Sequence, residues 1–285
     1  MSPEHERLII LAFYVPIVVT MVLETLAPRR AAARSTGRRW LHITGLWLIN
    51  AFLAQAALLA STIMAAAVAA ERGWGLLPAL ALPSAIAFIA GFVLLDFATY
   101  LKHRAFHAVP VLWRLHVVHH SDADMDVGTG LRHHPADFLL DGFMTAGIVL
   151  LLGASVEAVL AYQVVTTVQN PLRHGNIAVP RWLDAILRPV LVTPDVHRVH
   201  HSSVERETNS NFGALFTCWD RLLGTYRAQP DRGHKAMDIG LEYFRDPSED
   251  RLLAMLTQPL RQPRARNESR TASQPSEPDF TAARS

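Results

Sequence analysis

The stretch Phe138–Val168 is apolar for about 31 residues, and histidines crowd both of its ends. As one straight helix it would run about 46 Å at 1.5 Å per residue, well past a hydrocarbon core of about 30 Å. A single crossing would also part the histidines before it, His116 to His134, from those after it, His174 to His201. Gly153-Ala154-Ser155 interrupts the run near its middle. Two shorter helices folded at that point bring both ends back to one side, and the backbone at the tip then needs protein cover or the far interface. A re-entrant hairpin over 138–168 is therefore expected.

Three further apolar runs precede it. Leu8–Leu26 is long enough to span, and Glu4, Glu6 and Glu24 around its ends, with no small-residue cleavage pattern, favour a retained helix over a signal peptide. The second runs from about Ile43 to Ala69 and the third from about Leu76 to Leu101, with Pro83 expected to kink the third near its outer end. Half the residues are apolar and 18% are charged, the balance of a membrane protein. The fold expected is all-α: an integral membrane protein with about four membrane helices or hairpins and a cytoplasmic helical cap carrying a histidine-rich dimetal site. Its parts are N-terminal membrane helices over 1–101, a histidine-box catalytic domain over 102–245, and a C-terminal segment over 246–285, disordered from about 260, where Pro, Arg, Ser, Glu and Gln dominate.

The net charge of +2 conceals two basic clusters, Arg29, Arg30, Arg34, Arg38 and Arg39 in one loop, and Arg261, Arg264, Arg266 and Arg270 in the tail. No nucleic-acid motif accompanies them, so they read as facing an anionic leaflet, with no nucleic-acid partner. The positive-inside rule puts loop 28–40 in the cytoplasm and brings His103 to that side. The single cysteine, Cys218, excludes disulfides and cysteine-based zinc or iron–sulfur sites within the chain.

Of 14 histidines, eleven lie between His103 and His201. HRAFH places His103 and His107 at i and i+4, one above the other if the third helix continues. HVVHH (His116, His119, His120) and HRVHH (His197, His200, His201) set i, i+3 and i+4 on one helical face, so two residues can hold one metal while the third reaches a second. His134 in RHHP and His174 in RHGN bring the number beyond what one four-coordinate zinc uses, which suits two metals. Imidazole serves zinc, copper, iron and nickel alike.

With DFATYLKHRAFH at 96–107, LWRLHVVHHS at 112–121, RHHP at 132–135, RHGNI at 173–177, PDVHRVHHS at 194–202, and NFG followed by WDRLLGTY up to Tyr226, the chain resembles the fatty acid hydroxylase superfamily, also called the sterol desaturase family, over roughly residues 90–226. The resemblance implies a non-haem di-iron enzyme that uses O2 to hydroxylate or desaturate a sterol, fatty acid or related lipid. It implies iron ligands at His103, His107, His116, His119, His120, His197, His200 and His201, with His174 as a ninth and His134 as either a ligand or a support. Where relatives supply a further histidine before His174, this chain has Gln169 and Asn170; water, Asn170 or Asn176 would take that place. His133 is expected to face outward. Carboxylates should offset the charge of two ferrous ions held by neutral rings, and Asp96, Asp122, Asp124 and Asp195 are the candidates by proximity. Asn211, Trp219 and Asp220 are expected to pin the cap over the site.

The chain contains no flavin, nicotinamide or fused haem motif, so electrons would come from a ferredoxin or a cytochrome b-type protein with its reductase, docking near the basic loop. The lipid would enter laterally past aromatics such as Phe88, Phe92, Phe97 and Phe143, although packing against lipid is the favoured reading for each. A bacterial inner membrane with a cytoplasmic catalytic face is the expected setting. Two other classes compete. A membrane zinc hydrolase would be expected to carry a carboxylate base beside a ligand, as in H-E-x-x-H, which is absent. A membrane haem electron carrier would place single histidines on opposing helices, not boxes on one face.

Overall fold

The computed structural model describes residues 3–56 and 62–261; the tail from 262 onward and the middle of the second apolar run lie outside the described residues. Among the described residues all regular structure is helical, with three isolated β-bridges and no strand.

Helix α1 (Pro3–Leu26) leads through the basic loop into α2 (Thr36–Ala56), and α3 (Thr62–Arg72) follows. The third apolar run does not form one kinked helix. It divides into a short α4 (Leu76–Ala79) and a long α5 (Ser84–Ala108), parted by Ala81 in the left-handed region and by Pro83, which stands immediately before α5. Proline fits there because the first turn of a helix has no use for its missing N–H. Helix α5 then runs unbroken through His103 and His107. After it come α6 (Pro110–His120), a 3-10 turn (Val127–Leu131), α7 (Pro135–Leu152) and α8 (Val156–His174).

The long apolar run reverses at Gly153. Gly153 adopts φ 62°, and its N–H closes α7 on the Val149 carbonyl, while the Ser155 hydroxyl caps the start of α8 by accepting from the Ala158 N–H. Both arms pack on α3 and α5. Val149, Ala154, Val159 and Tyr162 meet Ala66, Leu77 and Leu95 in one apolar cluster. Helices α5 and α7 are each long and apolar enough to cross a membrane, by length and composition. Large apolar side chains also stand on outer faces: Val18 on α1, Phe52 on α2, Ile89 on α5 and Leu151 on α7 are more than half exposed, a pattern uncommon on a water-facing monomer.

The remaining chain packs over the polar ends of these helices, including α9 (Arg181–Leu187) and α10 (Pro194–His200). Asp96, buried in α5, anchors it: its carboxylate accepts from the Leu215 and Phe216 N–H groups at 3.2 and 3.3 Å, from the Trp219 indole at 2.7 Å and from the Tyr162 hydroxyl at 3.2 Å. Asp220 accepts from the Phe212 and Gly213 N–H groups, both at 2.8 Å. The Asn211 side chain, on a residue at φ 52°, ties together Val196, Arg227 and the chain between them. Short helical turns fill most of 247–260, and Met255 is fully buried against Leu46, Val117 and Val118; the stretch expected to be disordered, from about 260, lies almost wholly outside the described residues.

The basic loop does not spread its charge over a lipid surface. Arg29 forms a two-pronged bond to Asp195, Arg30 donates to the His234 and Met237 carbonyls, Arg34 pairs with Asp250 at 2.5 Å, and buried Arg39 pairs with Asp122 and Asp126. Arg38 stays exposed. The loop is stitched to the cap by these pairs.

A side chain at position 153 would have to sit in the left-handed region, and its Cβ would run into the Trp74 carbonyl oxygen and the Pro78 ring. Gly153→Ala should cost about 2 kcal/mol or more, read as a lowered melting temperature in detergent. An unchanged melting temperature would sink this account of the turn.

Candidate metal centre

Histidines from four helices converge beneath the cap. His103, His107, His120 and His200 form one group whose potential ligand nitrogens all lie within 4.8 Å of one another; His119, His174, His197 and His201 form a second. The first draws on α5, α6 and α10, and the second on α6, α8, α10 and the residue just past α10. Neighbours in sequence are divided between the groups: His119 from His120, and His200 from His201. Successive residues of a helix point about 100° apart, so each H-x-x-H-H box reaches both sites. His116 lies between them, grouped with His119 and His120 and, separately, with His133 and Asp137.

Backbone carbonyls fix the tautomers. His103 Nδ1 lies 2.8 Å from the Phe212 oxygen, His200 Nδ1 2.7 Å from Ser210, His119 Nδ1 3.1 Å from Thr129 and His174 Nδ1 2.8 Å from Asn170. A carbonyl only accepts, so each Nδ1 carries the hydrogen and each Nε2 presents a lone pair. These Nε2 atoms then face one another, His200 to His103 at 3.1 Å and His119 to His174 at 3.3 Å. Two lone pairs at that distance repel. Protonation does not relieve them, because burial first, and neighbouring imidazoles after it, push His119, His120 and His201 well below the ordinary histidine value, and burial with adjacent rings does the same for His197 and His200.

A cation placed between the rings resolves the conflict. Metal–nitrogen bonds of about 2.0–2.1 Å at angles of about 90–109° set adjacent ligand nitrogens about 2.9–3.4 Å apart, which brackets the observed separations. Both ring nitrogens of His116, His120 and His201, and Nε2 of His107, are buried without a hydrogen-bond partner, a costly state unless something else occupies them. The residues present therefore fit two metal ions held by imidazole.

Not every expected residue joins. His134 caps α7: its Nδ1 accepts from the Ala136 N–H at 3.1 Å, and its Nε2 lies 3.2 Å from the Leu256 carbonyl. His133, expected outside, stacks on His119 with ring centroids 4.5 Å apart and bonds Asp137 at 2.9 Å. Asn170 donates to the Gly130 carbonyl and accepts from Arg173, and Asn176 exchanges bonds with the Arg30 backbone, so neither amide points at a metal position. None of the four candidate carboxylates bonds a ring of either group. Asp96 and Asp195 anchor the cap, Asp124 binds the N–H groups of Ala33 and Arg34, and Asp122 holds Arg39 and the Thr129 hydroxyl. The carboxylate beside the centre is Asp137, 2.9 Å from His133 and 3.5 Å from His116. Its spacing of i+4 from His133 was the available signal.

A cavity of about 500 Å³ abuts the groups, with His103, His116, His119 and His197 in its wall. Its aromatic lining is Phe13, Phe106 and Phe138. Of the aromatics proposed for a substrate path, Phe92 packs on Tyr162 and Phe216, and Phe97 on Trp219.

A family model described as Fatty acid hydroxylase matches residues 88–225, a stretch that holds every histidine of both groups. Among curated proteins, the chain is 35% identical over 160 residues to the ornithine lipid hydroxylase OlsE of Rhizobium tropici, covering 56% of this chain and 46% of that one. It is 29% identical over 150 residues to alkylglycerol monooxygenase of Homo sapiens, covering 50% and 31%. It is 29% identical over 134 residues to the very-long-chain aldehyde decarbonylase GL1-8 of Oryza sativa subsp. japonica, covering 47% and 49%. The matches thus span less than half the length of these relatives. No solved structure matches the chain.

His119→Ala should lower bound metal and His134→Ala should leave it unchanged, as measured by elemental analysis of purified protein; equal retention by both would remove His119 from the site. The pH dependence has a definite sign. The buried rings are neutral when folded and titrate near 6.5 when unfolded, so the unfolded chain binds more protons as pH falls. Their contribution is complete above about pH 6.5 and is lost progressively below it, so metal-free protein should melt at lower temperature at pH 5.5 than at pH 7.5.

Proposed function

From the match of residues 88–225 to the fatty acid hydroxylase family model, we propose that the chain is a member of that family, an integral membrane oxidoreductase that uses O2 and two iron ions to oxidise a lipid C–H bond. The observation that carries this reading is the pair of adjacent four-imidazole groups, with opposed Nε2 lone pairs, opening on one cavity. The hydroxylase and monooxygenase among the relatives favour hydroxylation. The balance is then C–H plus O2, two electrons and two protons giving C–OH and water, with the electrons from a ferredoxin or a cytochrome b-type partner.

The ligands would be His103, His107, His120 and His200 for one ion and His119, His174, His197 and His201 for the other, with His116 between them. Bound iron supplies the redox chemistry with O2 that neutral imidazoles lack. The chain's own residues do the rest. The carbonyls of Phe212, Ser210, Thr129 and Asn170 hold the rings in register and keep the hydrogen on Nδ1. The cap, pinned by Asp96 and Asp220, keeps bulk water from the rings. Asp137 sets one negative charge beside His116 and His133, partly offsetting the ions.

The apolar outer faces of α1, α2, α5 and α7 suit a bilayer, with about four helices or hairpins in it, α7–α8 as the re-entrant hairpin, and the cap with loop 28–40 on the cytoplasmic side of a bacterial inner membrane. In this reading the membrane helices of 1–101 support a catalytic region over 102–245, and the described part of the C-terminal segment, 246–261, packs against it.

The test is iron-reconstituted protein in detergent, given reductant, O2 and a lipid extract. About two irons per chain, one for each group, and a product heavier by one oxygen atom are expected. Tight zinc binding without O2 uptake would overturn the proposal.

A further inference from the structure

The cavity wall carries three charged side chains besides the histidines and Asp137, namely Lys102, Asp141 and Arg173. Lys102 and Asp141 satisfy each other, with Nζ 2.6 Å from the carboxylate, and Lys102 also donates to the Thr145 hydroxyl. Asp137 is engaged by His133 and His116. Arg173 is different. Its two hydrogen bonds go to neutral acceptors, the Ala214 carbonyl at 2.8 Å and the Asn170 amide oxygen at 3.0 Å, and its Nε is buried without a partner. Of the five N–H donors of a guanidinium, three are left without an acceptor, and no ion pair is formed among the described residues.

A cation withdrawn from water needs a counter-charge. The surroundings worsen the deficit. The adjacent histidine groups are neutral when empty and positive when loaded; the nearby carboxylates Asp96 and Asp141 act on Arg173 only through space, since Asp96 is spent on the cap and Asp141 on Lys102. The cavity is the place where an anion can reach it, and a guanidinium is the side chain best shaped to grip a carboxylate or phosphate by two parallel bonds. The cavity's other features agree. About 500 Å³ lies in the lower half of the range for small-molecule sites, enough for a head group and a few carbons but not for a long chain. Thr99, Gln163, Thr167 and Asn170 in its wall suit a polar group better than methylenes.

We propose that Arg173 receives an anionic head group, carboxylate or phosphate, of the lipid, so that the oxidised C–H bond lies near the polar head and the acyl chain runs out toward the bilayer. Its placement of the oxidised bond rests on the lipid-oxidase reading above; the binding of an anionic amphiphile does not.

The test measures binding of hexadecanoate, hexadecyl phosphate and hexadecanol to detergent-solubilised wild-type protein, Arg173→Gln and Arg173→Lys, with iron content recorded in each. Wild type should bind at least one anionic amphiphile about tenfold or more tighter than hexadecanol, and the tighter of the two identifies carboxylate or phosphate as the head group. Arg173→Gln should abolish the preference while leaving hexadecanol affinity and iron content unchanged, and Arg173→Lys should keep part of it. Equal binding of all three by wild type would overturn the proposal, as would a preference that survives in Arg173→Gln. Should Arg173→Gln misfold, the wild-type comparison and Arg173→Lys still decide: loss of all preference in a folded, iron-retaining lysine variant counts against a charge-based grip. Absent O2 turnover with the anionic preference intact would reject the oxidase reading and leave the head-group site standing.

Discussion

Lone pairs that face one another across 3.1–3.3 Å hold the key to this molecule. Such an arrangement is unfavourable by itself, and nothing local requires it. It exists because separate helices are each committed elsewhere: α5 by its apolar face and by Asp96, α6 by its contacts with Met255 and Leu46, α8 by its packing on α5, and α10 by Asn211 and the Asp195 pairs. The scaffold overrides the repulsion among the rings, and a pair of cations would turn it into attraction. This is preorganisation in a plain sense: the ordering cost is met by the fold before any ion arrives.

The cap depends on buried carboxylates whose partners are mostly backbone N–H groups and arginines. Asp96 reaches from a helix with membrane-spanning length into three residues of the cap at once. Asp122, Asp195 and Asp250 hold Arg39, Arg29 and Arg34. A buried ion pair is weak evidence of stability, but removing one partner strands the other, so these contacts fix the position of the cap more than they strengthen it. They also draw the end of α1 and the start of α2 to the same side as the metal centre, and Glu24 adds to this by accepting from the N–H groups of Val127 and Asn176.

What could be read from the sequence was set by side-chain periodicity. The three histidine boxes, the reversal at Gly153 and the continuation of α5 through His107 all follow from helical spacing and apolar length. The ring orientations do not, because their acceptors are main-chain carbonyls of Phe212, Ser210, Thr129 and Asn170, which carry no residue signature. Proximity in sequence misled for the carboxylates: Asp195 sits two residues from His197 yet turns to arginine, whereas Asp137 reaches the centre from the first turn of α7. The basic loop misled for a related reason. A run of arginines has the same composition whether it meets lipid phosphates or the protein's own aspartates, and only the fold distinguishes them. Pro83 was read as a kink within a helix when it marks the start of one, because the left-handed Ala81 before it leaves no sequence signal.

The division of His119 from His120, and of His200 from His201, ties the two halves of the centre together through single peptide bonds. No segment of chain serves one half alone in either box. A one-residue slip in α6 or α10 would swing both members of a pair by about 100° and empty positions on both sides together. Within these two boxes the groups stand or fall together. Selective loss of one site is left to the ligands that are not shared, His103 and His107 on α5 for one group and His174 on α8 for the other.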